Sequence, residues 1–118
     1  MSDTHGFSTR CVWAGEQDSG PGDPTQVPVA LSAAFGYHDV EHWRDVALGR
    51  EPGHIYGRNT NPTVAAFEDK VRRLENAEAA TSAATGMAAI SAALFGLLKP
   101  GDRVVSVKDT YGGTNVIF

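Results

Sequence analysis

Apolar positions are spread unevenly along the 118 residues, and from Val64 onward they fall into helical order. Phe67, Val71 and Leu74 stand at i, i+4 and i+7 and mark one stripe. Glu68 with Arg72, and Asp69 with Arg73, place opposite charges four apart on another face. Pro62 suits a first turn, where its missing N–H had no intrahelical partner, and Asn61 before it can cap. Asn76 tolerates the left-handed conformation that ends a helix. The pattern predicts a helix from Pro62 to Glu75.

Small residues dominate from Ala77 to Ile90. Propensity alone favours helix throughout, but glycine costs about 1 kcal/mol inside one, so Thr85-Gly86 reads as a break. A short strand is expected near Ala79–Ala84, then a helix from Met87 to Leu98. Lys99-Pro100-Gly101-Asp102 is a turn, Arg103–Val107 a β-branched strand, and Tyr111 opens a further helix. This alternation is the rhythm of a parallel α/β sheet. Two strands do not complete such a sheet, and the pattern stops at the uncapped apolar run Val116-Ile117-Phe118. The chain therefore reads as cut short.

Upstream, residues 1–26 are polar and rich in Gly and Pro, an arm expected to lie on another surface with Trp13 as its anchor. Val27–Phe35 is apolar but holds Pro28, which suits an extended or edge-like segment. Residues 36–53 are irregular, with one or two helical turns expected between Val40 and Leu48.

Composition narrows the function classes. Ten Lys and Arg against fourteen Asp and Glu, without a basic run, argue against nucleic acid as a partner. Cys11 is the single cysteine, so no intrachain disulfide forms and a reducing cytoplasm is the expected home. The N-terminus lacks the order of a signal peptide, and no apolar run approaches the roughly eighteen residues of a membrane span. His38 and His42 have the spacing of two zinc ligands but no third ligand nearby, so no metal site is expected.

Three places carry candidate chemistry. Tyr56 and Arg58 are two apart, so in an extended segment a phenol and a planar fork of donors face one side, a good hold for phosphate. Thr85-Gly86-Met87 turns strand into helix through glycine, letting backbone N–H groups approach an anion. Tyr111 follows the next strand at the edge where open α/β sheets bind ligands. Each has a plain structural alternative: a solvated arginine, core tyrosines, an ordinary connection.

Taken together, Tyr56-Gly57-Arg58, Asn61-Pro62-Thr63, Leu74-Glu75, Thr85-Gly86-Met87-Ala88-Ala89-Ile90, Pro100-Gly101-Asp102 and Tyr111-Gly112-Gly113-Thr114 form a specific set. They resemble the N-terminal part of the Cys/Met-metabolism family of pyridoxal-phosphate enzymes, which includes methionine and cystathionine γ-lyases, cystathionine γ-synthase and the homoserine sulfhydrylases. The resemblance covers residues 9–118. It implies an α/β fold: an N-terminal arm over residues 1–53, packing on a neighbouring subunit, and from residue 54 the start of the large PLP-binding domain of a fold-type I (aspartate aminotransferase-like) enzyme.

The same resemblance implies the site. Tyr56 and Arg58 would reach across a dimer interface to the phosphate of the neighbour's pyridoxal 5'-phosphate. Gly86 and Met87 would give backbone donors to the phosphate of the chain's own cofactor. Tyr111 would stack on the pyridine ring and take part in proton transfer. The Schiff-base lysine and the aspartate that pairs with the pyridine nitrogen lie beyond the matched part, and none of Lys70, Lys99 or Lys108 carries the family's lysine motif.

The implied activity is a PLP-dependent carbon–sulfur lyase acting by γ-elimination on a sulfur amino acid, in a cytoplasmic homotetramer built as a dimer of dimers with shared active sites. Ile55 and Val116 stand where cystathionine lyases carry an acidic residue and an arginine, implying a less polar pocket. Gly113 stands where methionine γ-lyases carry cysteine, which keeps open a γ-replacement enzyme such as cystathionine γ-synthase or O-acyl-homoserine sulfhydrylase. A reading of another class is a non-catalytic fragment or assembly module, since this chain lacks the lysine.

Overall fold

A computed structural model describes residues 5–16 and 21–118. The first four residues and 17–20, which include Asp18-Ser19-Gly20 of the expected arm, lie outside the described residues. The helices are α1 Phe7–Trp13, α2 Val40–Ala47, α3 Pro62–Leu74, α4 Gly86–Leu97 and α5 Gly112–Ile117. The chain divides into two compact units, one up to Ala80 and one from Thr81.

Local capping chemistry sets most of these boundaries. Asp39 accepts from the His42 amide at the start of α2, and Asn61 accepts from the amides of Thr63 and Val64 with Pro62 in the first turn of α3. Asn76, at φ 52°, ends α3 in the left-handed region. The Thr85 hydroxyl accepts from the Ala88 amide at the start of α4. The turn after α4 closes through Asp102 N–H to the Lys99 carbonyl at 3.0 Å and Lys99 N–H to Asp102 Oδ2 at 2.8 Å, with Gly101 at φ 96°.

In the first unit, α1 packs against α3. This helix was not foreseen: the segment read as an irregular arm. Trp13, the expected anchor of the arm on another surface, is exposed. Polar contacts hold α1 in place. Arg10 Nη1 donates to the Arg73 carbonyl at 2.9 Å and to Asn76 Oδ1 at 2.8 Å. Lys70 Nζ donates to the Val12 carbonyl at 3.1 Å and pairs with Glu16 Oε1 at 2.7 Å. Gly15, at φ 74°, lets the chain pass so close that a Cβ there would stand 2.5 Å from the Ala66 carbonyl oxygen.

Of the two expected charge pairs, Asp69 with Arg73 forms, and Arg72 joins the same carboxylate. Arg72 turns to Asp69 at 2.6 Å, and Asp69 also accepts from Arg73 at 2.7 Å, because one carboxylate bridges i+3 and i+4. Burial raises the Asp69 pKa, yet the hydrogen bonds from Arg72 and Arg73 outweigh it and hold the carboxyl below its usual value.

The strands expected at 79–84 and 103–107 are not formed; among the described residues there is no strand, only an isolated antiparallel bridge between Ala34 and Tyr56. A strand exists by pairing its N–H and C=O groups with a neighbour, and neither segment has one among the described residues. Val105 is 98% exposed. Core formation is correspondingly slight: Ala14 and Val46 are the buried apolar residues among those described, while Phe67 and Val71 of the α3 stripe remain exposed.

Candidate functional site

The first unit builds one half of the candidate chemistry from two stretches laid side by side. Phe35 N–H donates to the Ile55 carbonyl at 3.1 Å and Gly57 N–H to the Ala33 carbonyl at 2.7 Å, flanking the Ala34–Tyr56 bridge. Tyr37 Oη donates to the His54 carbonyl at 3.0 Å. Gly57 sits tightly here: an added Cβ would meet the Ser32 carbonyl oxygen at 3.3 Å.

Beyond Tyr56 the chain turns. The Tyr56 carbonyl accepts from the amides of Asn59 at 2.9 Å and Thr60 at 3.1 Å. Tyr56 and Arg58 were expected to share a side because an extended segment alternates. The turn brings them together instead, with the guanidinium carbon 5.2 Å from the Tyr56 ring centroid. That is cation–π distance, and it leaves the guanidinium edge free to donate. Both side chains are exposed.

Behind the turn, Asn61 and Thr63 do more than start α3. Asn61 Nδ2 donates to the Ala30 carbonyl at 2.9 Å, and Thr63 Oγ1 accepts from the Ala30 amide at 2.8 Å while donating to the Pro28 carbonyl at 2.9 Å. The sequence showed the cap but not this second role, which depends on a segment more than thirty residues away.

Nearby lies an aromatic cluster. Phe35 packs on His54 at 5.5 Å and Tyr37 meets His42 edge-on at 4.9 Å. His42 faces Glu51 at 3.4 Å. His38 lies before α2 rather than on it, so the two histidines do not share a helix face. No group of three or more His, Cys, Asp or Glu among the described residues is arranged to hold a metal.

The second unit builds the other half. Thr85 caps α4 through its hydroxyl, and its carbonyl accepts from Ala89 at 3.1 Å. The amides of Gly86 and Met87 open the helix and have no intrahelical acceptor. A Cβ added at Gly86 would meet nothing within 4 Å, so the space beside this glycine is open. Tyr111 starts α5 and is 73% exposed. Thr114, buried, donates to Met87 Sδ at 3.9 Å. A Cβ at Gly113 would stand 3.0 Å from the Tyr111 ring and 3.1 Å from Met87 Sδ, so this unit gathers Met87 and Tyr111 around one glycine.

Lys70 is committed to Glu16. Lys99 lies exposed at the end of α4, and Lys108 is also exposed.

The donor chemistry of each unit fits a phosphorylated cofactor. A guanidinium and a phenol in one, and helix-start amides without an intrahelical acceptor in the other, are groups that hold a dianion.

Comparison with known proteins gives the same picture. The sequence profile of the family described as Cys/Met metabolism PLP-dependent enzyme matches residues 8–118. An L-methionine gamma-lyase from Pseudomonas deceptionensis is 37% identical over 97% of this chain and 29% of its own length. An O-acetyl-L-homoserine sulfhydrylase from Corynebacterium glutamicum is 33% identical over 99% of this chain and 27% of its own. Among solved structures, metB from Corynebacterium glutamicum superposes with a TM-score of 0.84 at 32% identity, covering 99% of this chain and 29% of that one. A cystathione gamma lyase from Micromonospora echinospora gives 0.76 at 33% identity, covering 96% and 27%. The chain thus spans less than a third of the relatives it matches.

Proposed function

This chain belongs to the Cys/Met metabolism PLP-dependent enzyme family, matched over residues 8–118, and from that premise we propose that the whole protein is a carbon–sulfur lyase. It acts by γ-elimination on a sulfur amino acid, as a cytoplasmic homo-oligomer, a dimer of dimers with shared active sites. Among the described residues, no helix is long and apolar enough to cross a membrane. Bound pyridoxal 5'-phosphate supplies the electron sink that acidifies the substrate carbon.

This chain's residues bind, orient and handle protons. The Gly86 and Met87 amides hold the phosphate of the cofactor in their own subunit, helped by the positive end of α4. Arg58 and Tyr56 hold the phosphate in the neighbouring subunit, Arg58 through paired N–H donors. Tyr111 lays its ring on the flat cofactor and holds or moves a proton at Oη. Residues 1–53 form the arm toward that neighbour, with Phe7 and Val12 of α1 exposed to meet it. Residues 54–118 begin the cofactor-binding domain.

The observation that carries this reading is Arg58, poised over Tyr56 at 5.2 Å with its fork free. Its test is cofactor retention by the full-length protein. The parent is expected to purify yellow, and Arg58→Ala to lose cofactor on dialysis while its melting temperature without cofactor stays put. Retention equal to the parent's would remove Arg58 from the site.

Elimination is supported by Ile55, which suits an uncharged, methionine-like side chain, while the relatives include both methionine γ-lyases and sulfhydrylases. Gly113 supports the second reading, γ-replacement. Release of a 2-oxo acid and thiol from methionine or cystathionine supports elimination. Sulfide-dependent consumption of an O-acylhomoserine without 2-oxo acid supports replacement.

A further inference from the structure

We propose that Asn61 and Thr63 are positioning residues for Arg58, acting as a clasp that ties the far end of its turn to the stretch 28–30. The proposal rests on the reading of Arg58 as a phosphate ligand and deepens it. Tyr56 is fixed from one side, by the Ala34 bridge and the hydrogen bonds at Phe35 and Gly57. Arg58 is not. It sits in a turn closed by two bonds to the Tyr56 carbonyl, and the next fixed point along the chain is the clasp.

There, every polar atom of the two side chains is used. Asn61 Oδ1 accepts from Thr63 N–H at 2.8 Å and Val64 N–H at 3.4 Å, and its Nδ2 donates to Ala30 O at 2.9 Å. Thr63 Oγ1 accepts from Ala30 N–H at 2.8 Å and donates to Pro28 O at 2.9 Å. Residues 28–34 therefore serve as a common ruler for both ends of the turn. A guanidinium must be placed to within a fraction of an ångström for paired donors to meet two phosphate oxygens. The clasp supplies that constraint on the side where the bridge does not reach.

The chemistry offers variants that separate capping from clasping. Asn61→Asp keeps an acceptor for the helix cap but sets a carboxylate oxygen against the Ala30 carbonyl where a donor stood. Thr63→Val keeps the shape and removes the hydroxyl, whereas Thr63→Ser restores it. In the full-length protein, pyridoxal 5'-phosphate affinity is titrated by fluorescence for each variant, alone and combined with Arg58→Ala, alongside melting without cofactor.

The expected result is that Asn61→Asp and Thr63→Val weaken binding by about tenfold, as a misplaced ligand does, and that Thr63→Ser restores parental binding. Adding either variant to Arg58→Ala should weaken it no further, since the clasp acts through Arg58. Parental affinity in both clasp variants overturns the proposal, as does a loss that adds fully to that of Arg58→Ala. If Thr63→Val does not fold, Asn61→Asp decides alone. Should Arg58→Ala itself bind like the parent, the phosphate reading falls, and the clasp falls with it.

Discussion

Glu16 Oε1 lies 2.7 Å from Lys70 Nζ, joining the segment after α1 to the middle of α3 across 54 residues of sequence. The Lys70 hydrogen bond, with a second from the Val27 amide, holds the Glu16 carboxyl below its usual 4.5. A lowered folded-state pKa contributes stability that is full above the unfolded value and is lost as pH falls through the folded one. Glu16→Gln should therefore cost about 1 kcal/mol at neutral pH, the scale of a partly shielded charged pair. The gap between parent and variant, followed by thermal melting from pH 7 downward, should close below pH 4.5. A gap that is independent of pH would mean the carboxylate charge is not what counts.

Gly15 lies tightly against the main chain of α3. Its φ of 74° excludes most side chains, and its missing Cβ leaves room for the Ala66 carbonyl and the Lys70 amide, which a methyl would meet at 2.5 and 2.8 Å. Both are main-chain atoms of α3 and cannot swing aside. Gly15→Ala should destabilise by about 2–4 kcal/mol, strain and clash together. Limited proteolysis should then cut first within α1.

At Asn76 two effects can be separated by two variants. Asn76→Gly keeps the left-handed backbone free of strain but loses the bond from Arg10, whereas Asn76→Ala loses the bond and adds strain. Melting should rank the parent first, glycine next and alanine lowest, with about 1 kcal/mol between the last two. Equal values for the two variants would show that the backbone angle costs nothing there.

For Gly86 the expectation is a dissociation of folding from binding. The open space at its Cβ means Gly86→Ala should melt like the parent or slightly higher. The added methyl crowds the helix start proposed to hold the phosphate, so cofactor affinity should drop by about tenfold or more. A variant that binds as tightly as the parent would move the phosphate away from this helix start.

Much of this architecture was legible because its causes are local. Asn61-Pro62 and Thr85-Gly86 announce helix starts through side chains that cap their own next turn, and Asn76 announces a stop. The strands expected at 79–84 and 103–107 are not formed, since local residue preference suggests a strand but a ladder needs a second strand. Helix α1 escaped notice because Gly6 gives it no side-chain cap and its fixing partners, Arg73 and Asn76, lie 63 and 66 residues from Arg10. Tyr56 and Arg58 were rightly paired for a wrong geometric reason: a turn, not strand alternation, joins them. The Thr63 hydroxyl was invisible to any window shorter than the loop it spans.

With Val105 and Leu31 almost wholly in water and only Ala14 and Val46 buried among the apolar described residues, hydrophobic free energy contributes little to holding these residues in shape by themselves. Their persistence is consequently open to mass action: a surface that closed over those faces would bind the ordered form and draw the equilibrium toward it. Dilution, or a lesion in a distant covering surface, should loosen α4 and α5 without touching either helix.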